Sequence, residues 1–226
     1  PSGHLPPTSF VLFLQNHDQT GNRAFGERLV SLADADALRA ATAVLLLSPM
    51  VPLLFMGEEW GARQPFLFFT SHHGELADAV REGRRNEFAE FAEFADEATR
   101  ERIPDPNAVS TFENSRPDFS ARQEPGHAEW YALYRELLSI RHREIVPRLQ
   151  GAHFLESRVL AQAAVLSRWQ LGDGSRLRLE LNLGTQAAPL PTASISGELL
   201  FASREATHAH DQLAPRMARL YLEKAT

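Results

Sequence analysis

The chain has 226 residues, 43% of them hydrophobic, and a net charge of −6, enough to bury a core in one or two domains. Its 29 acidic residues outnumber its 23 basic ones, which excludes the basic footprint of a nucleic-acid or anionic-membrane binder. The absence of cysteine excludes disulfides and thiolate metal sites and permits a reducing compartment. The opening Pro1-Ser2-Gly3-His4 has no initiator Met and no secretory pattern, so a start internal to a longer polypeptide is expected.

Ser9–Gln15 is an unbroken apolar run with aromatic and β-branched members, as expected of a parallel strand covered on both faces. It empties into the polar loop Asn16–Arg23. A helix is predicted over Ala35–Leu47, with Asp34 and Asp36 as candidate caps and Leu38, Ala41, Leu45 and Leu46 on one face. Ser48-Pro49 ends it. Val51–Met56 reads as a second buried strand, with Pro52 tolerated near its beginning, and runs into Gly57-Glu58-Glu59-Trp60-Gly61. The apolar stretch Ala40–Met56 is too short for a membrane span once Pro49 and Pro52 break it. The order is βαβ, with both polar loops at strand C-terminal ends, where parallel α/β folds place their chemistry.

Glu75–Phe94 is predicted helical, with Phe88, Phe91 and Phe94 on a buried face. Pro104, Pro106, Pro117 and Pro125 punctuate a long loop. His127–Arg143 returns to helix, its stripe made of Trp130, Leu133, Tyr134, Leu137, Leu138 and Arg141. Beyond a boundary between 148 and 149 the pattern turns to short strands: 154–157, 164–169, 177–182, 199–201 and 218–221. Gly172-Asp173-Gly174 marks a hairpin. Residues 149–226 therefore read as a small antiparallel β-domain, and Arg84-Arg85 as solvated surface.

The segment Leu14-Gln15-Asn16-His17-Asp18 places an imidazole beside a carboxylate at a strand end, a mixture suited to neighbouring sugar hydroxyls. It resembles the conserved region ending the seventh barrel strand of the α-amylase superfamily. Leu54–Gly61 resembles the end of the eighth strand. Gln15, Gln19 and Gly21-Asn22-Arg23 are similar to the trehalohydrolases within that superfamily, as are Glu75–Arg85 and Pro104-Asp105-Pro106 leading to Ser110-Thr111-Phe112. Thr20 departs from the aliphatic residue usual there.

The resemblance implies an α/β fold: residues 1–148 as the last part of a (β/α)8 TIM barrel, and 149–226 as a β-sandwich. It implies a retaining glycoside hydrolase that cuts the α-1,4 bond next to the trehalose unit of malto-oligosyltrehalose. Nucleophile and general acid, about 5–5.5 Å apart in such enzymes, are expected outside this chain, in a missing N-terminal part of the same enzyme. The fragment alone is expected to be inactive. Asp18 is the implied transition-state stabiliser, and His17, Asp18, Gln19, Thr20, Gly21 and Asn22 the implied substrate-binding residues. Malto-oligosyltrehalose and related α-glucans are the implied partners. No cofactor and no metal are expected.

Arg23 is a candidate substrate contact or an ordinary surface ion pair. Trp60 is a candidate sugar platform or a packing residue. Glu58 and Glu59 read as rim ion pairs, Trp130 and Trp169 as core, and His72-His73 and His208-x-His210 as loop histidines. The rival functions are a branching or debranching enzyme of the same superfamily and a non-catalytic glucan-binding module.

Overall fold

The computed structural model describes residues 2–191, 197–205 and 211–225; the expected loop histidines His208 and His210 lie outside the described residues. In chain order the helices are α1 (His17–Gly21), α2 (Leu29–Leu32), α3 (Ala35–Leu47), α4 (Glu75–Glu87), α5 (Glu97–Glu101), α6 (Val109–Asn114) and α7 (His127–Ile140). The strands are β1 (Val11–Leu12), β2 (Val51–Pro52), β3 (His153–Ala161), β4 (Ala164–Gln170), β5 (Arg176–Asn182), β6 (Ala188–Pro189), β7 (Glu198–Ala202), β8 (Gln212–Leu213) and β9 (Met217–Glu223). They gather into two compact units. One holds the residues up to Leu14, Ala33–Leu53 and the chain from Tyr131 onward; the other holds Gln15–Leu32 and Leu54–Trp130.

In the first unit β1 and β2 pair in parallel, Val11 opposite Val51 and Leu12 opposite Pro52. The amides of Val51 and Leu53 donate to the carbonyls of Phe10 and Leu12 at 3.0 and 2.9 Å. Pro52 falls between these donors, so its missing N–H costs this ladder nothing. Both strands are shorter than their apolar runs. The expected cover on both faces is not met within this chain: Val11 is 58% exposed, and Phe13, Val51 and Leu53 are exposed too. Among the described residues each strand has one partner only.

Helix α3 matches its predicted span, with Asp34 alone as its N-cap, accepting from the amides of Asp36 and Ala37 at 3.1 Å. The far end is closed by a buried cation. Arg141 Nη1 donates to the Leu46 and Ser48 carbonyls at 2.9 and 2.7 Å, and Nη2 to Met50 at 2.6 Å. Arg141 begins a wider helical turn, Arg141–Ile145, that follows α7.

The five expected strands of the β region are present in one antiparallel sheet of order β3-β4-β5-β9-β7. Alternation along β5 and β9 puts Leu177, Leu179, Leu222 and Leu220 on one face, and Arg178, Glu180, Tyr221, Arg219, Asn182 and Met217 on the other. On this second face Glu180 sits buried between two buried arginines. Arg219 Nε donates to Glu180 Oε2 at 2.8 Å, and Arg178 pairs with Oε1. Among the described residues the short antiparallel ribbon β6–β8 covers part of that face, burying Leu190 and Leu213 with Met217. Asn182 fastens the ribbon through its amide N–H groups, to the Leu213 and Ala214 carbonyls at 3.1 Å. The β4–β5 turn carries the expected glycines: Gly174 has φ 86°, and a Cβ on Gly172 would stand 1.7 Å from the Gln150 carbonyl oxygen.

In this unit the βαβ segment and the β region are packed together. α3 packs against β5 and β9, and its N-terminal Asp34 and Asp36 pair with Arg216 at 2.8 Å and Arg204 at 3.4 Å. Compactness therefore joins the βαβ segment to the β region.

The second unit is mostly loops and short helices. The helix predicted over Glu75–Phe94 stops at Glu87. Phe88 and Phe94 pack with Ala24, Phe25 and Ile103, whereas Phe91 is exposed, so a spacing of three does not make one buried face here. Edge-on aromatic contacts run from Phe55 to Phe66 (5.1 Å), Phe69 (5.7 Å) and Phe112 (5.3 Å). Trp130 is buried as expected, against Gly61, where a Cβ would meet the indole at 2.7 Å. Among the described residues no helix is long and apolar enough to cross a membrane.

Candidate substrate-binding site

The polar segment after β1 folds as a capped helical turn. The Asn16 side-chain oxygen accepts from the Gln19 amide at 2.9 Å, the standard way to satisfy a first-turn donor. This sets the direction of every residue that follows. His17 and Asp18 project outward with side chains 69% and 71% exposed, His17 Nε2 lying 3.3 Å from Asp18 Oδ1. Gln19, Asn22 and Arg23 are exposed as well.

Two of the expected substrate contacts face the other way. Thr20 is 2% exposed and Gly21 is buried, a Cβ at Gly21 lying 3.6 Å from the Phe66 ring. A helical turn cannot present six consecutive residues to one ligand. Thr20 and Gly21 are packing positions, and the accessible set is His17, Asp18, Gln19 and Asn22. Arg23 makes an exposed ion pair with Glu27 at 3.1 Å.

Trp60 requires a correction. It is 1% exposed, its ring centroid 5.2 Å from that of Phe119 and its carbonyl 2.8 Å from His127 Nδ1. Left-handed Gly57 and Gly61 bracket the turn Glu58–Trp60, and the indole is packed inside the unit, closed to a sugar ring. Glu58 also folds inward, accepting from the Phe55 amide at 3.2 Å.

The sequence pattern missed two arginines. Arg28 is buried, donating from Nε to the Gln64 carbonyl and from Nη1 to the Met56 carbonyl, both at 2.7 Å, with its guanidinium 4.9 Å from the Phe55 ring centroid. Desolvation lowers its pKa, while Glu58 and Glu59 act to raise it. Arg84, expected at the surface, is 6% exposed. Its Nη2 donates to the carbonyls of Gly21 and Arg23 at 2.8 and 3.0 Å. Periodicity could not have found either residue; the one signal was Arg84's place in the Glu75–Arg85 segment that carries the resemblance.

Chemically, Asp18 offers acceptor oxygens and His17 a ring nitrogen to a diol. A separate hollow in the first unit, about 310 Å³, is lined by Leu5, Pro7, Phe10, Met50, Phe154 and Trp169 together with Ser2 and Gly3. Among the described residues its lining holds no titratable side chain. Among the described residues no group of three or more His, Asp or Glu side chains is placed to hold a metal ion.

Residues 152–221 match a domain family of unknown function, DUF3459. A malto-oligosyltrehalose trehalohydrolase from Deinococcus radiodurans is 45% identical over 146 residues, 65% of this chain and 24% of that protein. One from Mycobacterium tuberculosis is 35% identical over 199 residues, 88% of this chain and 32% of that protein. A crystal structure from Salmonella typhimurium, provisionally described as an alpha amylase, superposes with TM-score 0.84 at 40% identity, covering 99% of this chain and 36% of that one. An isomaltulose synthase from Erwinia rhapontici shares the fold alone, with TM-score 0.59 at 15% identity over 95% of this chain and 43% of that one. The chain thus spans about a third or less of the curated relatives it matches. Within that span, it is related by sequence to the malto-oligosyltrehalose trehalohydrolases, glycoside hydrolases of the α-amylase family.

Proposed function

We propose that this chain is the segment of a retaining trehalohydrolase that supplies the hydroxyl-binding couple His17–Asp18. β1 and β2 would be the seventh and eighth strands of a (β/α)8 barrel, within a catalytic part running to about residue 148, and the sheet beyond it a C-terminal β-domain. The whole enzyme would hydrolyse the α-1,4 bond next to the trehalose unit of malto-oligosyltrehalose, releasing trehalose in the cytoplasm. Its nucleophile and general acid would lie in an N-terminal part of the same polypeptide.

The observation that supports this reading best is the joint exposure of His17 and Asp18, 3.3 Å apart, on a capped turn that follows a parallel strand in the chain. Relatives named as trehalohydrolases support malto-oligosyltrehalose as the substrate. In the chemistry of retaining enzymes, hydrogen bonds to the sugar 2-OH tighten as the oxocarbenium-like transition state forms and supply several kcal/mol. Asp18 would accept such bonds, with His17 bonding a neighbouring hydroxyl, and Gln19 and Asn22 would extend the polar rim.

The test is product analysis with the longest natural polypeptide that carries this sequence. Trehalose is the expected product from malto-oligosyltrehalose. Asp18→Asn should lower kcat/KM by at least about a hundredfold, and the 226-residue chain alone should turn over nothing. α-1,6 products without trehalose would replace this reading with a branching or debranching one, and full activity in Asp18→Asn would refute the assigned role.

A further inference from the structure

Helix α1 has five residues, too few to be stable by itself. Its position is therefore set by groups outside it. At the N-terminal end Asn16 provides the cap. At the other end the last carbonyls of a helix have no partners of their own, and here the Asn22 and Arg23 amides reach the Asp18 and Thr20 carbonyls. The Gly21 carbonyl, and that of Arg23 just beyond, turn to Arg84.

Arg84 comes from α4, more than sixty residues later in the chain, and is itself held on every side. Its Nη1 donates to Glu87 at 2.9 Å. Its guanidinium carbon lies 4.7 Å from the Phe88 ring centroid and 5.0 Å from that of Phe68. A cation at a helix C-terminus is favoured by the carbonyl dipoles. A planar guanidinium clasped by two rings can serve two carbonyls and a carboxylate together, which a lysine cannot.

We infer that Arg84 is a positioning residue for the candidate site: it fixes the C-terminal end of α1 and through that turn sets where His17 and Asp18 stand. Its catalytic consequence rests on the function proposed above; its structural half does not. Arg84→Met removes the donors, and Arg84→Lys keeps the charge and reaches fewer acceptors.

The experiment uses both variants in the longest natural polypeptide carrying this sequence, and follows amide hydrogen exchange at Thr20, Asn22 and Arg23 against β5 as internal reference, together with kcat and KM on malto-oligosyltrehalose. Arg84→Met is expected to speed exchange in α1 about tenfold or more while β5 is unchanged. It should lower kcat/KM by up to about a hundredfold, and Arg84→Lys should recover part of both. Unaltered α1 exchange, or a rise shared equally with β5, overturns the proposal. If Arg84→Met does not fold, the same comparison in Arg84→Lys decides. If the wild-type enzyme releases no trehalose, the functional reading fails, and the exchange measurement still decides whether Arg84 holds α1.

Discussion

The two compact units solve one problem, satisfying backbone polar groups away from water, by different means. In the sheet unit the strands do this for each other along β3-β4-β5-β9-β7; Glu180 takes up the buried Arg178 and Arg219, and only Arg141 among the buried arginines described there donates chiefly to carbonyls, those closing α3. In the loop unit regular ladders are scarce, and buried arginines serve main-chain carbonyls directly: Arg28 for Met56 and Gln64, Arg84 for Gly21 and Arg23. In the sheet unit buried arginine thus supplements a long ladder, closing one helix end through Arg141; in the loop unit it serves carbonyls where ladders are scarce.

The largest effect is expected in the sheet. Glu180→Gln leaves two buried guanidiniums without a countercharge, and breaking a buried ion pair costs about 3–5 kcal/mol. Urea unfolding should show that loss. A drop within experimental error would mean that the strand ladder alone carries this unit. Next, Arg28→Met removes charge-assisted bonds to two carbonyls, each bond of this kind being worth about 1.5–3 kcal/mol. The loss should appear as faster proteolysis within 56–64, with the sheet spared. Equal loosening of the sheet would contradict the contrast between the units.

The smallest effect concerns a cap on the loop unit's surface. The Thr99 hydroxyl and amide hold the Asp96 carboxyl below its ordinary value. Its contribution to α5 is therefore complete above the usual carboxylate range and is lost as pH falls through the lowered folded value. Asp96→Ala should lower the melting temperature slightly near neutrality, and the gap to wild type should close in acid. A gap that persists in acid would assign the effect to helix propensity instead of the charge.

The same contrast explains what could be read in the chain. The sheet strands and α3 were legible because alternation and helical spacing report burial directly, and Asp34 sits where a cap belongs. The ribbon β6–β8 was missed: strands of two residues carry no period. In the loop unit, Phe88, Phe91 and Phe94 suggested one helical face, but the chain leaves the helix at Phe88 and only two of the three are packed inside. Trp60 had the right chemistry for a sugar platform; two left-handed glycines, invisible to periodicity, turned it inward. His17 and Asp18 were singled out by motif alone, whereas the split between exposed Gln19 and buried Thr20 depended on a helical turn that the loop-like composition hid. Arg84 acts through carbonyls distant in sequence, which no local pattern records.

Pro52 has a consequence for the edge of the β1–β2 pair. The N–H groups on either side of it point to β1, so the proline occupies the position that would donate outward. A newcomer arriving along that margin meets an acceptor without its matching donor, which discourages promiscuous pairing between copies of the chain and narrows the alignments open to a legitimate neighbour.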